Sequence, residues 1–270
     1  MPTAHVNGVE LYYELHGAPE GEVVVLSNGV LMSTASWGLQ TPVLARHYRV
    51  LIYDCRGMWR SQHPEGPYTM EQHADDLAAL LDALNIERAH LAGISYGGEV
   101  SMVFALRHPQ RTRSLVVSSS VSHSDPVLRG MIDTWSAAAR AGDARRLFEE
   151  TYWLNFSAGY ISANRAALEA AAVRYESLDM AAVLELFDCF NRLDIRADLH
   201  KIVTPTLVMV GEADILKPRR YSEIIAAEIP GAQLAIIPGA GHALCLEKPA
   251  LFNALVLGFL AQLPAAASSG

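Results

Sequence analysis

Short apolar runs alternate with stretches of helical period along most of this chain. Val23-Val24-Val25-Leu26 and Arg49-Val50-Leu51-Ile52-Tyr53 are continuous and largely β-branched, as expected of strands covered on both faces. His5 to His16 alternates around Asn7-Gly8, which predicts a hairpin. Met70 to Leu84 puts Leu77, Leu80, Leu81 and Leu84 on one helical face. Strand pattern returns at Ala89-His90-Leu91-Ala92 and a helix follows from Glu99 to Arg107. Another strand is predicted at Ser114 to Ser118. From about 125 to 203 the chain is Ala-rich, helical in period and poor in β-branched runs. The alternation then resumes with a strand at Pro205 to Val210 and a helix at Pro218 to Glu228. A strand at Gln233 to Ile236 and a helix at Pro249 to Leu260 complete it. Strand–helix alternation predicts an α/β fold with a mostly parallel sheet flanked by helices. The block at 125–203 reads as a helical insertion over that sheet. The division is therefore a core at 1–124 and 204–264, an insertion at 125–203, and a flexible tail at 265–270.

Composition narrows the class. The 270 residues are 51% hydrophobic, ample for one large domain with an insertion. The net charge is -8 and no Lys/Arg cluster stands out, which argues against nucleic acid or an anionic membrane surface as partner. No apolar run is long enough to span a bilayer. Met1 to Val6 lacks the charged and apolar segments of a signal peptide. Cys55, Cys189 and Cys245 are far apart with no metal spacing. Reduced thiols in a cytoplasmic protein are expected, with no metal and no cofactor.

The chemistry concentrates in Gly93-Ile94-Ser95-Tyr96-Gly97-Gly98, set between a predicted strand and a predicted helix. In that context Gly-x-Ser-x-Gly makes a nucleophile elbow: a sharp turn that exposes the serine at a helix N-terminus. A serine hydroxyl needs an adjacent base, and the base needs an orienting acid. His242, in Pro238-Gly239-Ala240-Gly241-His242, is the base candidate, with His123 as runner-up. Asp214 follows the strand at 205–210 and is the acid candidate, with Glu212 and Asp125 as alternatives. Two backbone N–H groups would stabilise an oxyanion. Tyr96 follows the nucleophile, and Val30 lies in the loop Ser27-Asn28-Gly29-Val30, where Gly29 allows close approach.

With these residues in place the chain resembles the α/β-hydrolase superfamily over nearly its whole length. Asn28-Gly29 stands where many members have His-Gly, with Trp37 at the usual distance. Asp54-Cys55-Arg56-Gly57-Met58-Trp59-Arg60-Ser61 resembles the Asp-x-Arg-Gly-x-Gly-x-Ser loop, with Trp59 in place of the second glycine. The resemblance implies that Asp54 and Arg56 brace loops near the site and that 125–203 is the helical cap.

Two resemblances compete within the superfamily. Ser27-Asn28-Gly29, Gly66-Pro67-Tyr68-Thr69 and Leu81 to His90 are similar to 3-oxoadipate enol-lactonases and related esterases. Asn28-Gly29 with Ser33 to Ser36, and Ser61-Gln62-His63, are similar to acyltransferases that join two 3-hydroxyacyl chains. A dicarboxylate substrate would want cations, for which the cap offers Arg129, Arg140, Arg145, Arg146 and Arg174. Trp135, Trp153 and Phe156, with Asn28, Gly29, Trp59 and His123, are the candidate substrate-binding residues. The resulting expectation is a cofactor-independent serine hydrolase of a carboxylic ester or lactone with an apolar acyl or aromatic part. The alternatives are an acyltransferase of hydroxyacyl chains, or a ligand receptor with little turnover. The expected partner is a small molecule, with the chain a monomer or homodimer.

Overall fold

The computed structural model describes residues 2–264, so the tail expected at 265–270 lies outside the described residues. In chain order the elements begin with β1 (Thr3–Val6), β2 (Val9–His16), β3 (Val23–Ser27), α1 (Thr41–Leu44), β4 (Arg49–Tyr53), α2 (Met70–Ala83) and β5 (Ala89–Ile94). They continue with α3 (Tyr96–Arg107), β6 (Thr112–Ser118), α4 (Pro126–Arg140), α5 (Ala144–Asn155), α6 (Ala158–Ala172) and α7 (Met180–Asn191). The chain then runs through β7 (Thr206–Gly211), α8 (Arg219–Glu228), β8 (Gln233–Ile237), α9 (Leu244–Glu247) and α10 (Pro249–Leu260).

One sheet of eight strands has the order β1-β2-β4-β3-β5-β6-β7-β8. The β1–β2 hairpin is antiparallel and turns at Asn7-Gly8, both with positive φ (47° and 71°), the backbone a tight two-residue turn requires. β2 pairs antiparallel with β4, and every pairing from β4 through β8 is parallel. This is the α/β architecture with a mostly parallel sheet that the alternating pattern predicts.

Alternate residues of the buried strands face two hydrophobic clusters. Val23, Val25, Leu91, Leu115 and Val117 pack with α2 and α3 through Leu77, Leu80, Leu81, Val100 and Phe104. Val24, Leu26, Ala92, Ile94 and Val116 pack on the other face with Trp37, Phe252 and Val256. Burial on both faces is why these strands read as continuous apolar runs.

The strand order decides where a ligand can enter. From β3 the chain moves to β4 on one side, then crosses to β5 on the other. The loops after β3 and β5 therefore diverge and leave a crevice at the carboxyl ends of the strands. Ser27 and Gly93 pair in register, so the two loops leave the sheet at one level. The helices α4 to α7 lie between β6 and β7 in the chain. Asp125, Asp143, Ser157 and Asp179 cap their N-termini by accepting backbone N–H groups. Two short helices, α1 and α9, have too few residues to show a period in the sequence.

Candidate active site

Ser95 sits between β5 and α3 with φ 54° and ψ -122°, a conformation that non-glycine residues rarely adopt. The surroundings over-determine it. Ser95 N–H donates to Ser118 O (2.8 Å), and Ser95 O accepts from Ser120 Oγ (2.8 Å). A Cβ at Gly93 would collide with the Gly97 carbonyl, and one at Gly97 with the Ser27 carbonyl. Glycine at both places lets the turn close and α3 approach β3.

His242 lies in the loop between β8 and α9. Its Nδ1 is 2.9 Å from Asp214 Oδ2, and both residues are buried. Asp214 Oδ1 accepts from Lys217 N (2.8 Å). Ser119 Oγ donates to His242 O (2.9 Å), and Ala213 N to Ala240 O (2.9 Å), which fixes the histidine loop to the ends of β6 and β7. Both alternatives for the acid are otherwise engaged. Glu212 Oε2 accepts from Gly239 N (3.0 Å). Asp125 caps α4 and accepts from Tyr221 OH (2.6 Å). Burial pushes the Asp125 carboxyl up, but the bonds from Tyr221, Leu128 and Val127 outweigh it and leave it below the ordinary carboxylate value.

Ser95, His242, Tyr96, Gly29 and Val30 share one cavity of ≈ 180 Å³. Tyr96 is the first residue of α3, so its N–H has no partner within the helix. Gly29 O accepts from Met32 N (3.1 Å), forming the turn that carries Val30. The walls come from the helices after β6: Leu128, Met131, Ile132 and Trp135 of α4, Phe148 and Tyr152 of α5, and Leu168 of α6. Phe156 also lines the cavity, stacked on Tyr160 with ring centroids 4.9 Å apart.

Four candidate binding residues are placed elsewhere. Asn28 is fully buried, donating to Tyr53 O (3.0 Å) and Asp54 Oδ1 (2.9 Å) and accepting from Trp37 Nε1 (2.7 Å). It braces the loop that carries Gly29 and Val30. Trp59 adopts φ 42°, a left-handed backbone that favours glycine. Its Nε1 donates to Leu31 O (3.2 Å), and the Arg174 guanidinium lies 5.0 Å from its ring centroid. His123 bridges to Asp194 and packs against Tyr221, outside the cavity lining. Trp153 is 48% exposed: Thr151, Tyr152 and Asn155 take the cavity side of α5, and Trp153 falls on the far face.

The arginines of 125–203 singled out above do not line the cavity either. Arg145 pairs with Glu149 and Glu169, Arg146 with Glu150, and Arg174 with Ser33 Oγ. The cation at the cavity is instead Lys217. Its Nζ donates to Ser95 Oγ (3.2 Å) and pairs with Glu99, both residues buried. Sequence reading passed over this pair. The available signal was Glu99 itself, a lone acid in the apolar helix that follows the serine, since a buried carboxylate requires a partner. Among the described residues no group of three or more His, Cys, Asp or Glu side chains is placed to hold a metal ion. No helix there is long and apolar enough to cross a membrane.

Comparison with known proteins agrees with this architecture. Residues 22–249 match the family model of the alpha/beta hydrolase fold. The chain belongs to that family and is a hydrolase. It is 36% identical over 268 residues to a protein of Caulobacter sp. named "Putative carbamate hydrolase RutD", covering 96% of this chain and 98% of that one. The crystal structure of the enol-lactonase from Burkholderia xenovorans superposes with a TM-score of 0.91 at 28% identity, covering 96% of this chain and 100% of that one. An alpha/beta hydrolase enzyme from a Medee basin deep-sea metagenome library superposes with a TM-score of 0.93 at 28% identity, covering 99% and 100%.

Proposed function

We propose that this hydrolase cleaves a carboxylic ester or lactone with an apolar acyl or aromatic part through an acyl-enzyme on Ser95. The observation that carries the reading is the shared cavity: Ser95 and His242 open onto a space walled by Trp135, Ile132, Met131 and Phe148. His242, oriented by Asp214, takes the Ser95 proton as Oγ attacks the carbonyl carbon. The N–H groups of Tyr96 and Val30 receive the oxyanion, each donor worth about 3 kcal/mol in such sites. The tetrahedral centre expels the alcohol, which leaves with the proton from His242. Water then gives a proton to His242, attacks the acyl carbon and frees Ser95. The helices at 125–203 act as a cap whose apolar inner face takes the hydrocarbon part of the substrate.

A second reading is favoured by the relatives named as carbamate hydrolases. A carbamate carbonyl suits the same nucleophile and donors. The apolar walls favour a substrate with a hydrocarbon part over a bare carbamate. Hydrolysis of p-nitrophenyl esters from acetyl to dodecanoyl, beside an unsubstituted carbamate, tests both. The expected result is ester turnover with a chain-length optimum, abolished in Ser95→Ala. Carbamate turnover without ester turnover would replace the first reading with the second.

A further inference from the structure

Glu99 lies one turn into α3 from Ser95 and is fully buried. Its Oε1 takes the Lys217 ammonium and the Val121 N–H (3.3 Å), while its Oε2 has no hydrogen-bond partner. Lys217 lies three residues beyond Asp214 and only 5% exposed, with Nζ 4.7 Å from the Phe190 ring centroid. An ammonium has three N–H donors. One is held by Glu99, and another reaches Ser95 Oγ at 3.2 Å. A lysine needed only to neutralise Glu99 would not have to meet the nucleophile. Desolvating both charges is costly, and this pair sits at the reacting oxygen.

We propose that Lys217 is a catalytic residue that stabilises the negative charge on Ser95 Oγ in the transition states of acylation and deacylation, with Glu99 as its positioning residue. The inference rests on the serine-hydrolase reading above. In acylation the Oγ–H bond breaks, its proton goes to His242, and the Oγ electron pair forms the bond to carbon. In deacylation water supplies the proton to His242 and the new C–O bond. The C–Oγ bond then breaks, its electron pair returns to Oγ, and His242 returns the proton. Between those events Oγ carries partial negative charge. A charge-assisted N–H donor binds it more tightly then than it binds the neutral hydroxyl or the ester oxygen. That difference is what speeds both steps.

The test uses the full chain as wild type, Ser95→Ala, Lys217→Met, Lys217→Met/Glu99→Gln and Lys217→Arg. Lys217→Met strands a buried carboxylate and risks misfolding. The double variant removes that charge, and thermal melting identifies the folded proteins. Acyl-enzyme is formed with excess p-nitrophenyl butyrate and stripped of ester by rapid gel filtration. Intact mass then follows its decay. The expected result is a deacylation constant lowered roughly 10- to 100-fold in the folded double variant, with partial recovery in Lys217→Arg. An unchanged deacylation constant there overturns the assignment of Lys217. Failure of the serine reading looks different: Ser95→Ala would turn over ester, or wild type would acquire no acyl mass.

Discussion

Glu247 clamps Ser157: its Oε2 accepts from Ser157 Oγ (2.6 Å), and its Oε1 accepts from Ser157 N (3.0 Å). The same Oε1 accepts from Gly241 N (2.9 Å), next to His242. One carboxylate thus ties the histidine loop to the junction of α5 and α6. Ala243 N donates to Asn155 O (2.8 Å) beside it, so the α5–α6 junction and the candidate base are held as one unit.

Glu247→Ala removes three acceptor contacts and leaves the Gly241 and Ser157 donors without their partner. Charge-assisted bonds of this kind contribute about 1.5–3 kcal/mol each on deletion, with partial recovery from water. The expected outcome is a melting temperature lower by roughly 4–8 °C. Turnover should also fall further than the folded fraction does, because His242 loses its restraint. Calorimetry alongside ester hydrolysis at a temperature where both proteins are folded checks this. Equal turnover would assign the clamp to stability alone.

Asp54 is buried among Asn28, Thr34 and Arg60, whose N–H groups donate to it. Burial pushes its carboxyl from 3.8 up to about 6 in spite of those bonds. A raised acid binds its proton more tightly when folded, so its contribution to stability is full below pH 3.8 and declines as pH rises to about 6. The decline amounts to about 3 kcal/mol at most. Asp54→Asn lacks it. The stability of the variant relative to wild type should therefore climb between pH 4 and pH 6 and level off above, as read by urea unfolding. A constant difference across that range would contradict the raised carboxyl.

Met131 is half-buried on α4 and lines the cavity. Met131→Trp adds bulk there without opening a hole in the core. The expected result is a shift of the chain-length optimum toward shorter p-nitrophenyl esters, with kcat/KM for long chains down roughly 10-fold and acetyl ester turnover retained. A proportional loss across the series would place the acyl chain elsewhere.

Much of the scaffold was legible because it follows from local rules. The apolar runs at 23–26 and 205–210 are short and rich in β-branched residues, which favours a doubly covered strand, and Asn7-Gly8 favours a tight hairpin. Gly93, Ser95 and Gly97 announce an elbow because the turn forbids a Cβ on either side of the serine. Long-range partners left weaker traces. Nothing near Lys217 in sequence signals Glu99, which precedes it by more than a hundred residues; β6, the helices α4 to α7 and β7 lie between them in the chain. Trp153 misled because aromatic content says nothing about which face of α5 turns inward. Trp59 was visible as a departure from the glycine of the resembled loop. Its bond to Leu31 and its contact with Arg174 were not, since each depends on the packing of a different segment.

The most direct test of the account is to mix the protein with a p-nitrophenyl ester, quench within the first turnovers, and locate the added mass by peptide mapping. The account predicts an acyl increment on the peptide bearing Ser95 and none in Ser95→Ala. Sustained ester turnover with no acylated Ser95, or turnover undiminished in Ser95→Ala, would contradict it.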